Sequence, residues 1–225
     1  MNSGNENINR FINCLQVKRE AKMGNERYKK IIDKQSKIYD RDRVKHYFIK
    51  TSDNFLRIIP EGKSILDAGC GTGLYTIKFI KNGRPAIGVD FSKEMVDISK
   101  KNAEQAGIKC DFILCDIERG ISINHKFDYV LLGGNWEYLE NPENVLMNIR
   151  KVLRNGGKVV INTPNMLAFP LIVLLEKLKL KLAPAFWHFN SSSGNIKKLS
   201  ENTGFKLERT MFGYYGLDKI FILRK

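Results

Sequence analysis

Three aspartates and three glycines stand at spacings that chemistry can use. The stretch Ser64-Ile-Leu-Asp-Ala-Gly-Cys-Gly-Thr-Gly-Leu74 opens with Ile65-Leu66, an apolar pair that reads as a buried strand. It turns through Asp67, Gly69, Cys70, Gly71 and Gly73, and a helical pattern begins at once with Leu74, Ile77 and Ile80 on one face. Glycines at alternate positions let the chain turn tightly and keep side chains out from between loop and ligand. The helix beyond presents free N–H groups. Such a strand–loop–helix unit suits a nucleoside. The dinucleotide fingerprint does not close, because Leu74 stands where its last glycine belongs, and no Lys-Ser/Thr pair makes this a P-loop. Asp90 follows Gly73 by 17 residues and ends a second apolar run, where a carboxylate accepts hydrogen bonds from vicinal ribose hydroxyls. Asp116 ends a third.

The elements that must position these groups alternate. Ala86–Asp90, Cys110–Asp116, Phe127–Leu132 and Lys158–Thr163 read as strands two to five. Ser92 caps a helix with Glu94 in its first turn, ending at Gly107. Asn141-Pro142 starts another, with Val145, Ile149, Val152 and Leu153 as its buried stripe. Ser191–Thr203 is a helix closed by Gly204, and Phe205–Tyr214 with Lys219–Leu223 form a terminal hairpin around Gly216-Leu-Asp218. The expectation is an α/β fold: a doubly wound, seven-stranded, mainly parallel sheet with an antiparallel C-terminal hairpin strand. In such sheets ligands bind beyond the carboxyl ends of the strands, where Asp67 to Gly73, Asp90, Asp116 and Gly133 to Tyr138 all fall. Residues 1–25 look poorly ordered, and 26–225 read as one domain with a helical cap over 26–60 and an inserted helical lid over 166–190.

Asp-x-Gly-x-Gly-x-Gly resembles motif I of the class I S-adenosylmethionine-dependent methyltransferases. Phe127-Asp-Tyr-Val-Leu-Leu-Gly-Gly-Asn-Trp-Glu-Tyr-Leu-Glu-Asn-Pro142 resembles a block of the ubiquinone-biosynthesis-type O-methyltransferases, as do Leu153–Asn165 and the closing His188-Phe189 and Gly204-Phe205. The likeness covers about residues 36–225. It implies S-adenosyl-L-methionine as cofactor and a Rossmann-like methyltransferase fold. By position it implies Asp90 on the ribose, Phe91 and Met95 flanking sugar and adenine, Asp116 on the adenine amino group, Ile117 on the ring and Gly133 touching the cofactor. Tyr39 and Arg43 fall where the methionine carboxylate can be met, Arg by a charge-assisted bond; both also suit a lid helix. Trp136, Tyr138 and Asn165 are acceptor-side candidates, and Tyr138 replaces the family's usual His.

The chemistry implied is displacement at a sulfonium methyl, in which the protein supplies alignment and desolvation. A general base helps only a protonated nucleophile. His188 is the candidate because His titrates near neutrality, and it reads equally as a ring packed beside Trp187 and Phe189. No Asn/Asp-Pro-Pro-aromatic follows strand four, no Pro-Cys pair suits cytosine C5 and no paired-Glu loop suggests arginine methylation, so a small-molecule acceptor, at oxygen, leads. An RNA methyltransferase and a non-catalytic cofactor-binding protein stand as alternatives.

Composition bounds the rest. Four cysteines without a Cys-x-x-Cys, and a polar N-terminus, point to free thiols, no structural zinc and a cytoplasmic setting. The net charge of +14 sits at the ends: 14 basic against 8 acidic residues over 1–61, 10 against 12 over 62–149, and 14 against 4 over 150–225. Such ends suit RNA, anionic lipid or an acidic substrate, or reflect a lysine-rich proteome. Over 166–187, Leu171, Leu174, Leu175, Leu178 and Leu182 share one helical face opposite lysines, on a segment too short to span a bilayer. A lid over an apolar acceptor leads there, with a membrane-surface or partner-docking helix next. Oligomeric state is not legible.

Overall fold

Short apolar runs rich in Val, Ile and Leu stack into one sheet because both of its faces are covered. The computed structural model describes residues 45–168 and 192–225. The strands are β1 (Ile65–Ala68), β2 (Ala86–Asp90), β3 (Phe112–Leu114), β4 (Phe127–Gly133), β5 (Leu153–Pro164), β6 (Lys206–Phe212) and β7 (Asp218–Arg224). Their order is β3-β2-β1-β4-β5-β7-β6. The pairs joining β3, β2, β1, β4 and β5 are parallel, and β7 is antiparallel to both β5 and β6. The doubly wound sheet with an inserted antiparallel last strand is therefore as expected, and the order reverses between β1 and β4, where a crevice opens at the carboxyl edge.

Helices α1 (Lys45–Ile58), α2 (Leu74–Lys81) and α3 (Lys93–Gln105) cover one face. Phe55 and Ile59 pack there with Tyr75, Phe79, Val160 and Ile220, and Val96 and Ala103 with Phe112. On the other face α4 (Pro142–Val152) and α5 (Ser193–Asn202) enclose the larger core, with Val145, Ile149, Ile196, Val159 and Phe221. Caps end the helices where their residue types demand: Ser92 Oγ accepts from the Met95 N–H at 3.3 Å, Asn141 Oδ1 from Asn144 at 3.0 Å, and Ser192 Oγ from Asn195 at 3.2 Å.

Two boundaries differ from expectation. β3 is only three residues long: Phe112–Leu114 pair with Gly88–Asp90, and Asp111 and Cys115 close the ladder with one backbone bond each, to the Gly88 N–H and the Asp90 carbonyl. β5 begins at Leu153 rather than Lys158: Leu153 pairs with Phe127, then the chain bulges through Arg154–Gly157 before Lys158 meets Tyr129. Leu153, read as the end of the α4 stripe, is still buried, but as the first strand residue. Of the helical cap, Lys45–Ile58 is described; residues 1–44 and most of the 166–190 lid lie outside the described residues. No helix among the described residues is long and apolar enough to cross a membrane.

Candidate active site

The loop after β1 is tied to the next strand by its own backbone. The N–H groups of Gly69 and Cys70 donate to the Val89 carbonyl at 2.8 and 2.9 Å. Gly69, Gly71 and Gly73 all have positive φ, but they are glycine for different reasons. A Cβ on Gly69 would overlap Asn135 Nδ2, which donates to the Ala68 carbonyl at 2.6 Å. One on Gly73 would lie 2.7 Å from the Phe112 ring. Only Gly71 faces open space. Of the three glycines, two are demanded by packing and one leaves room for a ligand.

Asp90 is the pivot of that open side. Its Oδ2 accepts from the Gly71 N–H at 2.8 Å and its Oδ1 from the Ser92 N–H at 2.9 Å. The carboxylate thus joins the glycine loop to the start of α3. Asp67 is more deeply set: Thr76 donates to its Oδ2 at 2.6 Å, clamping β1 to α2. Burial, then the charges of Asp67 and Asp90, push the Cys70 thiol well up, so it stays protonated and unreactive.

Asp116 lies at the β3 end. Its Oδ1 accepts from the Glu118 N–H at 3.0 Å, and Arg119 Nε sits 3.2 Å from its Oδ2. A shallow cleft of about 330 Å³ beside it is lined by Ile113, Leu114, Arg119 and Ile123 among others. Leu114, 56% exposed, offers it an uncovered apolar edge. Gly133 pairs with Asn162, and the Gly134 N–H donates to the Asn162 carbonyl at 3.2 Å. Gly134, at φ +82°, again faces open space.

Four expected contacts are placed differently. Trp136 is fully buried in the larger core, so it packs the sheet instead of facing an acceptor. Ile117 belongs to that same core and offers little surface to a ring. Met95 is 2% exposed beneath the start of α3, and Phe91 is the more accessible of that pair. Asn165 is spent on its own turn: Nδ2 donates to the Gly216 carbonyl at 2.8 Å and Oδ1 accepts from the Leu167 N–H at 3.2 Å. Tyr138 is half-buried. Tyr39, Arg43 and His188 lie outside the described residues.

Sequence reasoning missed the polar group beside this edge. Asn162 Nδ2 donates to Asp218 Oδ2 at 2.7 Å, and the Tyr47 hydroxyl reaches Asp218 Oδ2 at 3.2 Å and Asn162 Oδ1 at 3.4 Å. Burial pushes the Asp218 carboxyl up, against hydrogen bonds from Asn162, from Tyr47 and from the backbone of Asp218 and Tyr214. The available signal was an Asn directly after the apolar run Val159-Val160-Ile161 and an Asp opening another, polar types that a buried strand rarely carries alone. Thr76 and Asn135 carried no such signal.

A mainly parallel sheet with this strand order and an antiparallel β7, a glycine loop after β1 and a carboxylate at the end of β2 define a class I methyltransferase fold. Over residues 59–206 the chain matches the family model described as "Methyltransferase domain". It belongs to that family, the class that draws its methyl group from S-adenosylmethionine. The ubiquinone biosynthesis O-methyltransferase of Coxiella burnetii (strain RSA 493 / Nine Mile phase I) is 31% identical over 109 residues, 48% of this chain and 47% of that protein. The chain spans about half the length of the curated relatives it matches. Among solved structures, a SAM dependent methyltransferase from Aquifex aeolicus superposes with a TM-score of 0.66 at 17% identity, over 84% of this chain and 97% of that one. Magnesium protoporphyrin IX methyltransferase from Synechocystis PCC 6803, solved with bound SAH, does so at 0.56 and 19% identity, over 78% and 79%. At these identities the likeness is one of fold.

Proposed function

We propose that the chain transfers a methyl group from S-adenosylmethionine to an oxygen of a small-molecule acceptor. The observation that carries the reading is the pairing of Asp90 with the Gly71 N–H beside the open face of the loop. The residues fit the cofactor. Asp90, beside the open face of Gly71, would accept its ribose hydroxyls. The cleft at Leu114 and Asp116 takes a flat heterocycle, with the carboxylate on an exocyclic amine. Gly71 and Gly134, after β1 and β4, face open space and would leave room for the cofactor's amino-acid end. When bound, the cofactor supplies an electrophilic methyl on a positively charged sulfur whose departure leaves a neutral thioether.

The chain's own part is alignment. Thr76 and Asn135 lock the loop, so its shape exists before binding and little ordering entropy is lost on the ligand. Oxygen is favoured as the acceptor atom by the names of the relatives and by the absence of an Asn/Asp-Pro-Pro-aromatic run after β4. Tyr39, Arg43 and His188 keep their proposed places: the first two on the methionine carboxylate, the third as a base.

Incubation with methyl-labelled S-adenosylmethionine and pools of phenols, sugars, lipids and RNA tests the reading. Labelled phenolic or other hydroxyl products are expected. Salt-sensitive labelling of RNA, or cofactor binding with no labelled product in any pool, overturns it.

A further inference from the structure

We propose that Asn148, together with Glu118, is a positioning residue for base recognition: it fixes the turn that carries Asp116, so that the site takes a 6-aminopurine and refuses a 6-oxopurine. The inference rests on the adenosine placement given above and adds to it a basis for selectivity.

α4 carries a buried amide. Asn148 is 5% exposed and shares the helix with Val145, Ile149 and Val152, which line the larger core. An apolar side chain there would lose no hydration, whereas a buried amide is costly unless it is hydrogen-bonded. Both ends of this amide are bonded. Nδ2 donates to the Ile117 carbonyl at 3.1 Å and to the Glu118 carbonyl at 3.3 Å, and Oδ1 accepts from Lys151 Nζ at 3.3 Å. The two carbonyls are consecutive and follow directly on Asp116.

The rest of that polar face holds the same turn. Asn141, Asn144 and Asn148 stand at i, i+3 and i+7, along one side of the helix and its cap. Asn144 Nδ2 also donates to the Glu118 carbonyl. The Glu118 side chain reaches back to the start of α4, where its Oε1 accepts from the Glu140 N–H at 3.1 Å and its Oε2 from the Asn141 N–H at 2.9 Å. The positive end of the helix dipole favours a carboxylate at that place. Within the turn, the Arg119 and Gly120 N–H groups donate to the Asp116 carbonyl at 3.1 and 3.2 Å.

These bonds converge on the Asp116 carboxylate. The Glu118 N–H donates to Asp116 Oδ1 at 3.0 Å, so the residue whose carbonyl α4 grips is the one that sets the carboxylate. Oδ2 faces Arg119 Nε at 3.2 Å, and the Arg119 side chain is 81% exposed, which makes it a weak partner that a ligand can displace. Asp116, Arg119 and the exposed Leu114 all line the same cleft.

Position decides which purine such a carboxylate accepts. A 6-aminopurine presents a donor at C6 and an acceptor at N1. A 6-oxopurine reverses the pair, with an acceptor at C6 and an N–H at N1. The two possible donors are neighbours on one ring edge, so a carboxylate that can slide along the edge meets either. One held in place bonds the amine and sets two acceptors against each other when the oxo group is there.

Calorimetric titration of the full chain with S-adenosylhomocysteine and with S-inosylhomocysteine, its 6-oxo counterpart, tests the inference. Wild type should favour the adenosyl ligand roughly 100-fold, and Asn148→Ala by less than about tenfold, with adenosyl binding weakened and inosyl binding held or improved. Asp116→Ala should abolish the preference, and adding Asn148→Ala to it should leave the ratio unchanged, because the amide acts through the carboxylate. Equal weakening of both ligands by Asn148→Ala, an unchanged preference, or a further change of ratio in the double variant overturns the proposal. Should Asn148→Ala fail to fold, Glu118→Ala decides by the same ratio, since the two backbone donors it releases are exposed. A wild type that binds both ligands alike overturns this inference and leaves methyl transfer intact. A chain that shows the preference and its dependence on Asn148 but labels no acceptor keeps this inference and removes the function proposed above.

Discussion

Asp90→Ala separates what the loop does for the fold from what it does for the ligand. The substitution removes the acceptor of two backbone donors, Gly71 N–H at 2.8 Å and Ser92 N–H at 2.9 Å. Ser92 is fully buried, so its N–H is left unsatisfied at about 1–3 kcal/mol; the half-exposed loop at Gly71 can turn to water. A stability loss of that size lowers the melting temperature of a 225-residue chain by roughly 3–10 °C. The ligand loses its ribose hydroxyl bonds to a charged group, each about 1.5–3 kcal/mol. One such bond lost net weakens binding by roughly 10–150-fold from an expected micromolar Kd. Calorimetric titration of S-adenosylhomocysteine into the folded variant reads this directly. Ser92→Ala is the control. It removes the hydroxyl cap on Met95 and the hydroxyl's bond to Glu94 Oε2 at 3.4 Å, costs about 1 kcal/mol of stability, and leaves the Asp90 carboxylate in place. If Asp90→Ala folds and binds within threefold of wild type, the ribose assignment is refuted, and with it the observation that carries the proposed function.

Three further outcomes follow from particular contacts. Gly71→Val should abolish cofactor binding in a folded protein, since its Cβ enters the open ligand side from a φ of +54°, whereas Gly69→Ala should mainly destabilise by displacing Asn135; thermal melts beside titrations tell the two apart. Trp136→Ala should cost about 3–5 kcal/mol by denaturant unfolding, as a core cavity does, and a folded variant with normal stability but lost turnover would return Trp136 to the acceptor site. For Asp128, burial raises the carboxyl, but hydrogen bonds from the Ser64 N–H, Arg154 and the Ser64 hydroxyl, with the Arg154 charge, outweigh it and hold it below its ordinary 3.8. Its contribution to stability is therefore present above about pH 3.8 and lost as pH falls through the lower folded value, so Asp128→Asn should flatten urea-unfolding stability over that acid window.

Much of the architecture was legible because its signals are local. Alternating apolar runs and 3.6-residue stripes name strands and helices; Ser92, Asn141-Pro142 and Gly204 mark helix ends by the hydrogen bonds and dihedrals only they allow. The long β5 was not legible, because a pairing between Leu153 and Phe127 is decided across strands while Asn155-Gly156-Gly157 reads locally as a turn. Trp136 looked like a recognition residue by type and motif position, and only packing against the helices of the larger core shows it to be buried. Two glycines of the loop looked like ligand clearance and proved to be clearance for Asn135 and Phe112, side chains 66 and 39 positions further along the chain.

The sequence by itself determined the order of elements, the loop after β1 and the carboxylates at the ends of β2 and β3, since each depends on residues within one turn or one strand end. Tertiary structure alone decided which of those residues face open space. It also decided that Tyr47, Asn162 and Asp218, spread over 171 positions, meet in one buried cluster. A polar residue in a strand announces that it needs a partner, but the register of β5 against β7 and the crossing of α1 choose which partner it finds.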